Sequence, residues 1–120
     1  MPKSDRNALG KAGEELACRY LEDQGFAIAA RNWRARSGEL DVVARKGTVT
    51  VFVEVKARRG TAFGEPEEAV TGAKARRIRG LASEYLLSSE HSAEVRFDVV
   101  SVLFDPDGDL LELRHIPDAF

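Results

Sequence analysis

Several features that would assign a small protein to a specialised class are scarce or missing in this sequence. The single cysteine, Cys18, has no second thiol for an internal disulfide. Cys18 and the two histidines, His91 and His115, do not have the spacing of a zinc site. No apolar run is long enough to span a membrane, and the N-terminus lacks the apolar core of a signal peptide. These absences exclude a disulfide scaffold, a zinc module and a membrane span, and we expect a cytoplasmic protein.

Net charge is also small, at −2, which argues against a protein that binds nucleic acid through overall positive charge. The average hides a division along the chain. Between Arg31 and Arg79 there are 12 basic and 6 acidic residues, whereas the rest is predominantly acidic. This segment predicts a basic face suited to a phosphate backbone if the segregation survives folding, and scattered surface charges if it does not.

Two runs rich in β-branched residues, 38–44 and 49–55, predict a β-hairpin with Gly47 supplying a positive φ. Side chains alternate along a strand, so we expect one face of the first strand to carry Glu39, Asp41 and Val43 and the other Leu40, Val42 and Ala44. On the second strand we expect one face to carry Thr50, Phe52, Glu54 and Lys56 and the other Val49, Val51, Val53 and Val55.

The register of the hairpin decides which acids meet. A two-residue turn at Lys46-Gly47 sets Glu39 opposite Glu54, whereas a four-residue loop sets Asp41 opposite Glu54. Neighbouring carboxylates are costly to bury because like charges repel and each charge loses hydration. A divalent cation would remove this cost, since carboxylates are the hard oxygen ligands that Mg²⁺ takes.

We therefore predict that the carboxylates of Glu39, Asp41 and Glu54 bind a metal ion. Lys56 would lie beside the metal and activate an attacking water or stabilise a phosphate. The alternative is a hairpin with a solvated face, on which the acids and the lysine pair across the strands.

The remaining pattern predicts a helix over 7–24, a strand over 26–33, a helix from Pro66 to about Leu87, and strands over 95–104 and 110–116. The order is αβββαββ. This order predicts an α/β fold with a mixed central β-sheet flanked by helices. The length predicts a single domain spanning 1–120.

Other residues are candidates for the same site. Glu14 borders the apolar stripe of the first helix, so it either leans over the sheet or stays partly exposed. Lys74 falls on the apolar face of the second helix and either reaches the hairpin acids or extends to the domain edge. Candidate phosphate contacts, which could equally be solvated charges, are Arg34 and Arg36 before the hairpin, Arg58 and Arg59 in a predicted loop after it, and Arg76 and Arg77 on the second helix. Trp33 could stack on a base, but such a residue more often covers a core edge.

The segment Gly38-Glu39-Leu40-Asp41, followed by 51–56, resembles the core of the PD-(D/E)xK nuclease superfamily. More narrowly, the chain is similar to the YraN-like family of bacterial endonuclease-like proteins, whose fold is related to that of archaeal Holliday junction resolvases. Leu40 stands where the superfamily's name has proline. The resemblance implies a restriction-endonuclease-like core and a Mg²⁺ or Mn²⁺ cofactor. It also implies that the metal is bound by Asp41, Glu54 and the Val55 carbonyl, with Lys56 catalytic and with Glu14, Glu39 and Lys74 in support.

Three functions remain at this point. The first is a metal-dependent nuclease that hydrolyses phosphodiester bonds in DNA, including branched or structured DNA, with a homodimer as a possible arrangement. The second is a nucleic-acid-binding module of the same fold that has little catalysis and acts through a partner. The third is an interaction protein that uses the fold without nucleic acid.

Overall fold

The computed structural model of the chain describes residues 3–60, 72–88 and 94–120. Its elements are α1 (Lys3–Asp23), β1 (Ala27–Ala35), β2 (Gly38–Lys46), β3 (Val49–Arg59), α2 (Gly72–Ser88), β4 (Glu94–Phe104) and β5 (Leu110–Ile116). The strands form one sheet in the order β1-β2-β3-β4-β5. Within it β3 and β4 run parallel, and the other described neighbours run antiparallel. The predicted α/β class, the mixed sheet and the order αβββαββ are confirmed.

Element boundaries differ from the predictions mainly at β3. The sequence predicted a loop directly after Lys56, but β3 continues to Arg59 because its pairing with β4 extends to Arg59 and Phe104. Arg58 and Arg59 therefore lie in a strand. The predicted helix start at Pro66 and the connection that carries His91 lie outside the described residues.

Apolar clusters cover both faces of the sheet. The α1-face core joins α1 to the sheet through buried residues that include Ala17, Leu21, Val42, Ala44, Val51, Val53, Val100 and Val102. The α2-face core joins α2 to the opposite face through Leu40, Val43, Phe52, Ile78, Leu81, Ala82 and Phe97. On β3 the predicted alternation is correct, because Val51 and Val53 face α1 whereas Phe52 faces α2.

On β2 the predicted alternation is wrong. Leu40 packs with Val43 in the α2-face core, although strict alternation would place it with Val42. The phase changes at Asp41, which lies between the Trp33–Leu40 and Arg31–Val42 levels of the β1–β2 ladder. At the same level of β1, Asn32 has a φ of 51°, a left-handed conformation that interrupts regular strand geometry.

Trp33 covers a core edge. It packs against the α2-face core and meets the Tyr85 ring edge-to-face at 5.5 Å between centroids. This is the second of the two roles that the sequence left open for this side chain.

The hairpin adopts the register that directs Asp41 toward Glu54. Pairs run from Lys46 opposite Val49 to Val42 opposite Val53, and Gly47 in the intervening turn has a φ of 61°. Pairing stops at Val42 and Val53. Beyond this level β2 leaves β3 while it remains paired with β1, which opens a gap at Asp41.

Helix α1 approaches the sheet closely at Gly13. A Cβ atom placed on Gly13 would lie 2.8 Å from the Cβ atom of Ala57 on β3, closer than carbon atoms can pack. Glycine therefore allows the helix to sit directly on the strand. The next residue, Glu14, is held beside the sheet by this contact.

Asp98 organises a polar network beside the C-terminus. It is fully buried, binds the Arg96 guanidinium through two 2.8 Å contacts, and accepts a hydrogen bond of 3.0 Å from the Asp118 amide. His115 bridges it to the Tyr20 hydroxyl of α1. Burial alone would raise the pKa of Asp98, but hydrogen bonds from Arg96, Asp118 and His115 outweigh it and lower that pKa.

Cys18 is buried in the α1-face core. Among the described residues, the structure contains no helix that is both long and apolar enough to cross a membrane.

The Gly13 contact predicts a stability difference between two glycines of the same helix. Replacing Gly13 by alanine should lower the free energy of unfolding by about 1–3 kcal/mol, because the added methyl group overpacks against Ala57. Gly10 is the control, since a Cβ atom there meets nothing within 4 Å. Gly10→Ala should be neutral or stabilising, by up to about 1 kcal/mol, through helix propensity. Urea denaturation of both variants measures the difference, and equal stabilities would contradict the close approach.

Candidate active site

Asp41 fills the gap where β2 leaves β3. Its Oδ2 atom accepts a hydrogen bond of 2.8 Å from the backbone amide of Val55. Because strand pairing has ended at Val53, this amide has lost the carbonyl partner that a continuing ladder would supply. The carboxylate takes the place of that partner, so the irregular end of the hairpin fixes the orientation of Asp41.

Two further carboxylates approach Asp41 from the side of α1. Oxygen atoms of Glu14, Glu39 and Asp41 all lie within 4.8 Å of one another. Asn32 lies between the outer two, and its Nδ2 atom donates to Glu14 at 3.0 Å and to Glu39 at 2.8 Å. Arg34 also pairs with Glu39 at 3.1 Å. Helix α1 and strand β2 together form an acidic group.

Glu54 connects Asp41 to two lysines. It is close enough to Asp41 for the two carboxyl groups to share a hydrogen bond. Lys74, from the first turn of α2, lies 2.8 Å from Glu54 Oε1, and Lys56 lies 3.7 Å from the same atom. Only 11% of the Glu54 side chain is exposed, so this carboxylate is held by neighbouring charges with little help from water.

Burial and crowding shift the protonation of this group. Burial, reinforced by the charge of Glu54, raises the pKa of Asp41 to about 8, although the hydrogen bond from Val55 opposes the change. Burial and the neighbouring Lys74 lower the pKa of Lys56. Burial would also lower the pKa of Lys74, but its contacts with Glu54 outweigh this effect and raise that pKa. Asp41 is thus largely protonated near neutral pH when no cation is present.

This donor set fits a hard divalent cation. Carboxylate oxygens are the ligands that Mg²⁺ and Mn²⁺ take in proteins, and three of them lie within reach of one ion. The raised pKa of Asp41 shows that its surroundings disfavour the ionised form, and a cation at this position would favour it.

The predicted site residues therefore divide into two parts around Asp41. Asp41 and Glu54 do meet, but the close three-carboxylate group joins Asp41 to Glu14 and Glu39, while Glu54 engages Lys56 and Lys74. Val55 contributes its amide to Asp41, and metal binding by its carbonyl stays a prediction.

The predicted phosphate contacts do not all lie together. Arg34 and Arg36 line a shallow, open depression formed by residues 34–39, beside the acidic group. Arg77 of α2 lies close to Gly38, one of its lining residues, since the Arg77 Cδ atom lies 3.8 Å from the position of a Cβ atom on Gly38. Arg76 lies near Gly72 at the start of α2. Arg58 and Arg59 lie at the end of β3.

Sequence reasoning missed the role of Asn32, because no local pattern links it to an acid on a distant helix. The available signal was the residue type, since asparagine tolerates left-handed backbone better than most residues and carries two amide donors. The Arg79 guanidinium lies 4.6 Å from the centre of the Phe97 ring.

Comparison with known proteins places this architecture in a family. The sequence matches Uncharacterised protein family UPF0102 over residues 13–102. The chain belongs to this family. It is 53% identical over 114 residues to a UPF0102 protein of Rhodococcus opacus, covering 94% of this chain and 96% of the relative. It is 56% identical over 103 residues to one of Nocardia farcinica, covering 85% and 81%. It is 39% identical over 113 residues to one of Dictyoglomus turgidum, covering 93% and 96%.

The predicted resemblance to the YraN-like family is confirmed by this match. The matched range begins at Gly13, directly before Glu14, and contains each acid and lysine of the candidate site.

The raised pKa of Asp41 predicts that Asp41→Asn changes how stability depends on pH. In the folded protein this pKa is about 8 against an ordinary value of 3.8, so folding retains a proton that the unfolded chain releases. The contribution of the protonated carboxyl to the stability of the folded protein is fully present below about pH 4 and is lost as the pH rises through about 8. The free energy of unfolding of Asp41→Asn, relative to that of wild type, should therefore increase by on the order of 1–3 kcal/mol between pH 5 and pH 8.

Urea denaturation in EDTA at both pH values measures this growth. Asp107→Asn is the control, because Asp107 is exposed in the turn before β5. An advantage of Asp41→Asn that does not change with pH would show that Asp41 ionises normally in the folded protein.

Proposed function

We propose that this protein is a nuclease that uses a divalent metal ion, Mg²⁺ or Mn²⁺, to hydrolyse phosphodiester bonds in DNA, including branched or structured DNA. The observation that carries the proposal is the environment of Asp41. This half-buried carboxylate lies within hydrogen-bonding reach of Glu54, beside further acids on one side and two lysines on the other. Acids and lysines in such proximity suit phosphoryl transfer, in which negative charge accumulates on the phosphate.

The acidic residues would hold the metal ion. Asp41 and Glu54 are the expected ligands, together with the Val55 carbonyl, and Glu14 and Glu39 are close enough to Asp41 to contribute directly or through water. When bound, the ion would polarise the scissile phosphate and lower the pKa of an attacking water. Asp41 must release its proton to serve as a ligand, so cation binding is expected to strengthen with pH.

The lysines would act on the substrate side of the carboxylates. Burial and Lys74 lower the pKa of Lys56, so this amine gives up a proton more readily than a solvated lysine. Lys56 would orient the attacking water or accept its proton. Lys74, whose pKa is raised, remains charged and would stabilise the phosphate.

The depression beside the acidic group would receive the phosphate backbone. Arg36 lines it, Arg77 of α2 lies close to Gly38 in its lining, and Arg34 connects it to the site through Glu39. Arg58, Arg59 and Arg76 are further candidate contacts. Cleavage of both strands of a branched substrate would require two copies of the site, so the proposal for that substrate includes a homodimer.

A second candidate function is a binding module of the same fold that acts through a partner. One observation favours it, namely that Lys74 lies 2.8 Å from Glu54 and so occupies an oxygen that a metal ion would need. Catalysis requires this ion pair to rearrange when the cation binds, whereas a binding module could keep it.

Cleavage assays separate the two candidates. Purified protein should cut DNA in Mg²⁺ or Mn²⁺ but not in EDTA, with duplex, single-stranded and four-way-junction DNA tested side by side. Asp41→Asn should lower the rate by on the order of 100-fold or more, because several kcal/mol of metal-dependent transition-state stabilisation are lost. Binding without cleavage by wild type would favour the binding module.

Adjacent glutamates on α1 provide a matched control for this assay. Glu14 faces the acidic group, whereas Glu15 pairs with Arg19 and Arg31. Glu14→Gln should reduce cleavage, and Glu15→Gln should leave it near the wild-type rate. Equal loss in both variants would indicate damage to α1 and would remove Glu14 from the site.

The depression also predicts how DNA binding depends on salt. The double variant Arg36→Gln and Arg77→Gln should weaken binding and reduce the slope of log affinity against log salt by about 1 for each lost phosphate contact. The control is Arg19→Gln, which alters an exposed arginine paired with Glu15 on α1. Fluorescence anisotropy across a salt series measures the slope, and an unchanged slope in the double variant would place the DNA elsewhere.

A further inference from the structure

Asn32 has an unusual backbone conformation at an exposed position, where core packing does not explain it. Its φ of 51° is left-handed, a conformation that glycine adopts freely and that other residues adopt at a cost. Among the described residues, Asp118 is the other non-glycine residue with a positive φ. Asn32 is nevertheless exposed, so burial in a core does not compensate for the strain. Strain of this kind is characteristic of functional sites.

The left-handed residue changes which side chains face α1. Arg31 reaches Glu15 of α1 at 3.1 Å, and the next residue, Asn32, reaches Glu14 at 3.0 Å. In a regular strand two consecutive side chains point to opposite faces. The conformation at Asn32 therefore brings its amide to the helix while Trp33 stays in the α2-face core.

One amide group contacts two carboxylates from different elements. Nδ2 donates to Glu14 of α1 and to Glu39 of β2, and both acids lie in the close group with Asp41. A donor shared by two like charges reduces their repulsion and fixes their separation. Because the amide is neutral, it does this without a positive charge that would repel a bound cation, unlike Arg34 at Glu39 and the lysines at Glu54.

We propose that Asn32 is a positioning residue for the cation site, and that it holds Glu14 and Glu39 at the separation at which they assist Asp41 in binding a divalent ion. This inference rests on the metal-dependent function proposed above. Asn32 acts through the two glutamates, and the left-handed backbone is the strain that the positioning requires.

Asn32→Gly tests the role, because glycine keeps the left-handed backbone and removes the amide. The matched control is Asp118→Gly, which makes the same kind of change at the other left-handed residue, beside Asp98 and apart from the acidic group. Metal-stripped proteins are titrated with Mn²⁺ alone, with free ion followed by electron paramagnetic resonance, and thermal midpoints are measured in EDTA. We expect Asn32→Gly to bind Mn²⁺ about 10–100-fold more weakly than wild type, with an equal or higher midpoint, and Asp118→Gly to bind as wild type does.

The outcomes distinguish the role of Asn32 from the metal-dependent function on which it rests. If wild type does not bind Mn²⁺, the metal-dependent function fails and the role of Asn32 fails with it. If wild type binds and Asn32→Gly binds equally well, the metal site stands and Asn32 does not position it. A lower thermal midpoint in Asn32→Gly would assign Asn32 to structural support and would also overturn the proposal.

Discussion

The separation of β2 from β3 at Asp41 determines where each charged group of the candidate site lies. A regular hairpin would continue to pair its backbones past Val53 and leave the acids along its face. Here the Asp41 side chain binds the Val55 amide in place of a strand. The gap then admits Glu14 from α1 on one side, while Glu54 meets Lys74 from α2 on the other. The interruption of the sheet therefore brings side chains from both helices to the same group of acids.

Stability alone does not account for this arrangement. The ionised acids lose hydration through partial burial and repel one another, and the adjacent lysines and the neutral amide of Asn32 do not fully offset these costs. The pKa of Asp41, about 8, reflects this difference. The Asp98 network shows the contrasting case in the same molecule. There the acid is fully buried, but an arginine, a histidine and a backbone amide satisfy it and lower its pKa. The protein stabilises the ionised form of Asp98 but not that of Asp41, and such a contrast favours a role for Asp41 in binding a ligand.

The sequence was sufficient for the elements and their order, because period-two alternation and turn residues act locally. Alternation was correct on β3, where both faces meet an apolar core, as Val51 and Phe52 show. It failed on β2 at Leu40, because the phase change occurs level with Asn32 on the adjacent strand and leaves no mark in the local pattern. The extent of β3 was underestimated because its partner, β4, lies more than thirty residues away along the chain.

The sequence was sufficient to name the residues of the candidate site but not to show which of them contact one another. The motif brought Asp41, Glu54 and Lys56 to attention, but the division of acids between a carboxylate group and a lysine group depends on where two helices pack. This division bears on both candidate functions. Glu14 and Glu39 would repel a phosphate backbone at the edge of the depression. A cation that neutralises this charge would therefore favour close approach of nucleic acid under either proposal, whether the protein then cleaves the strand or only holds it.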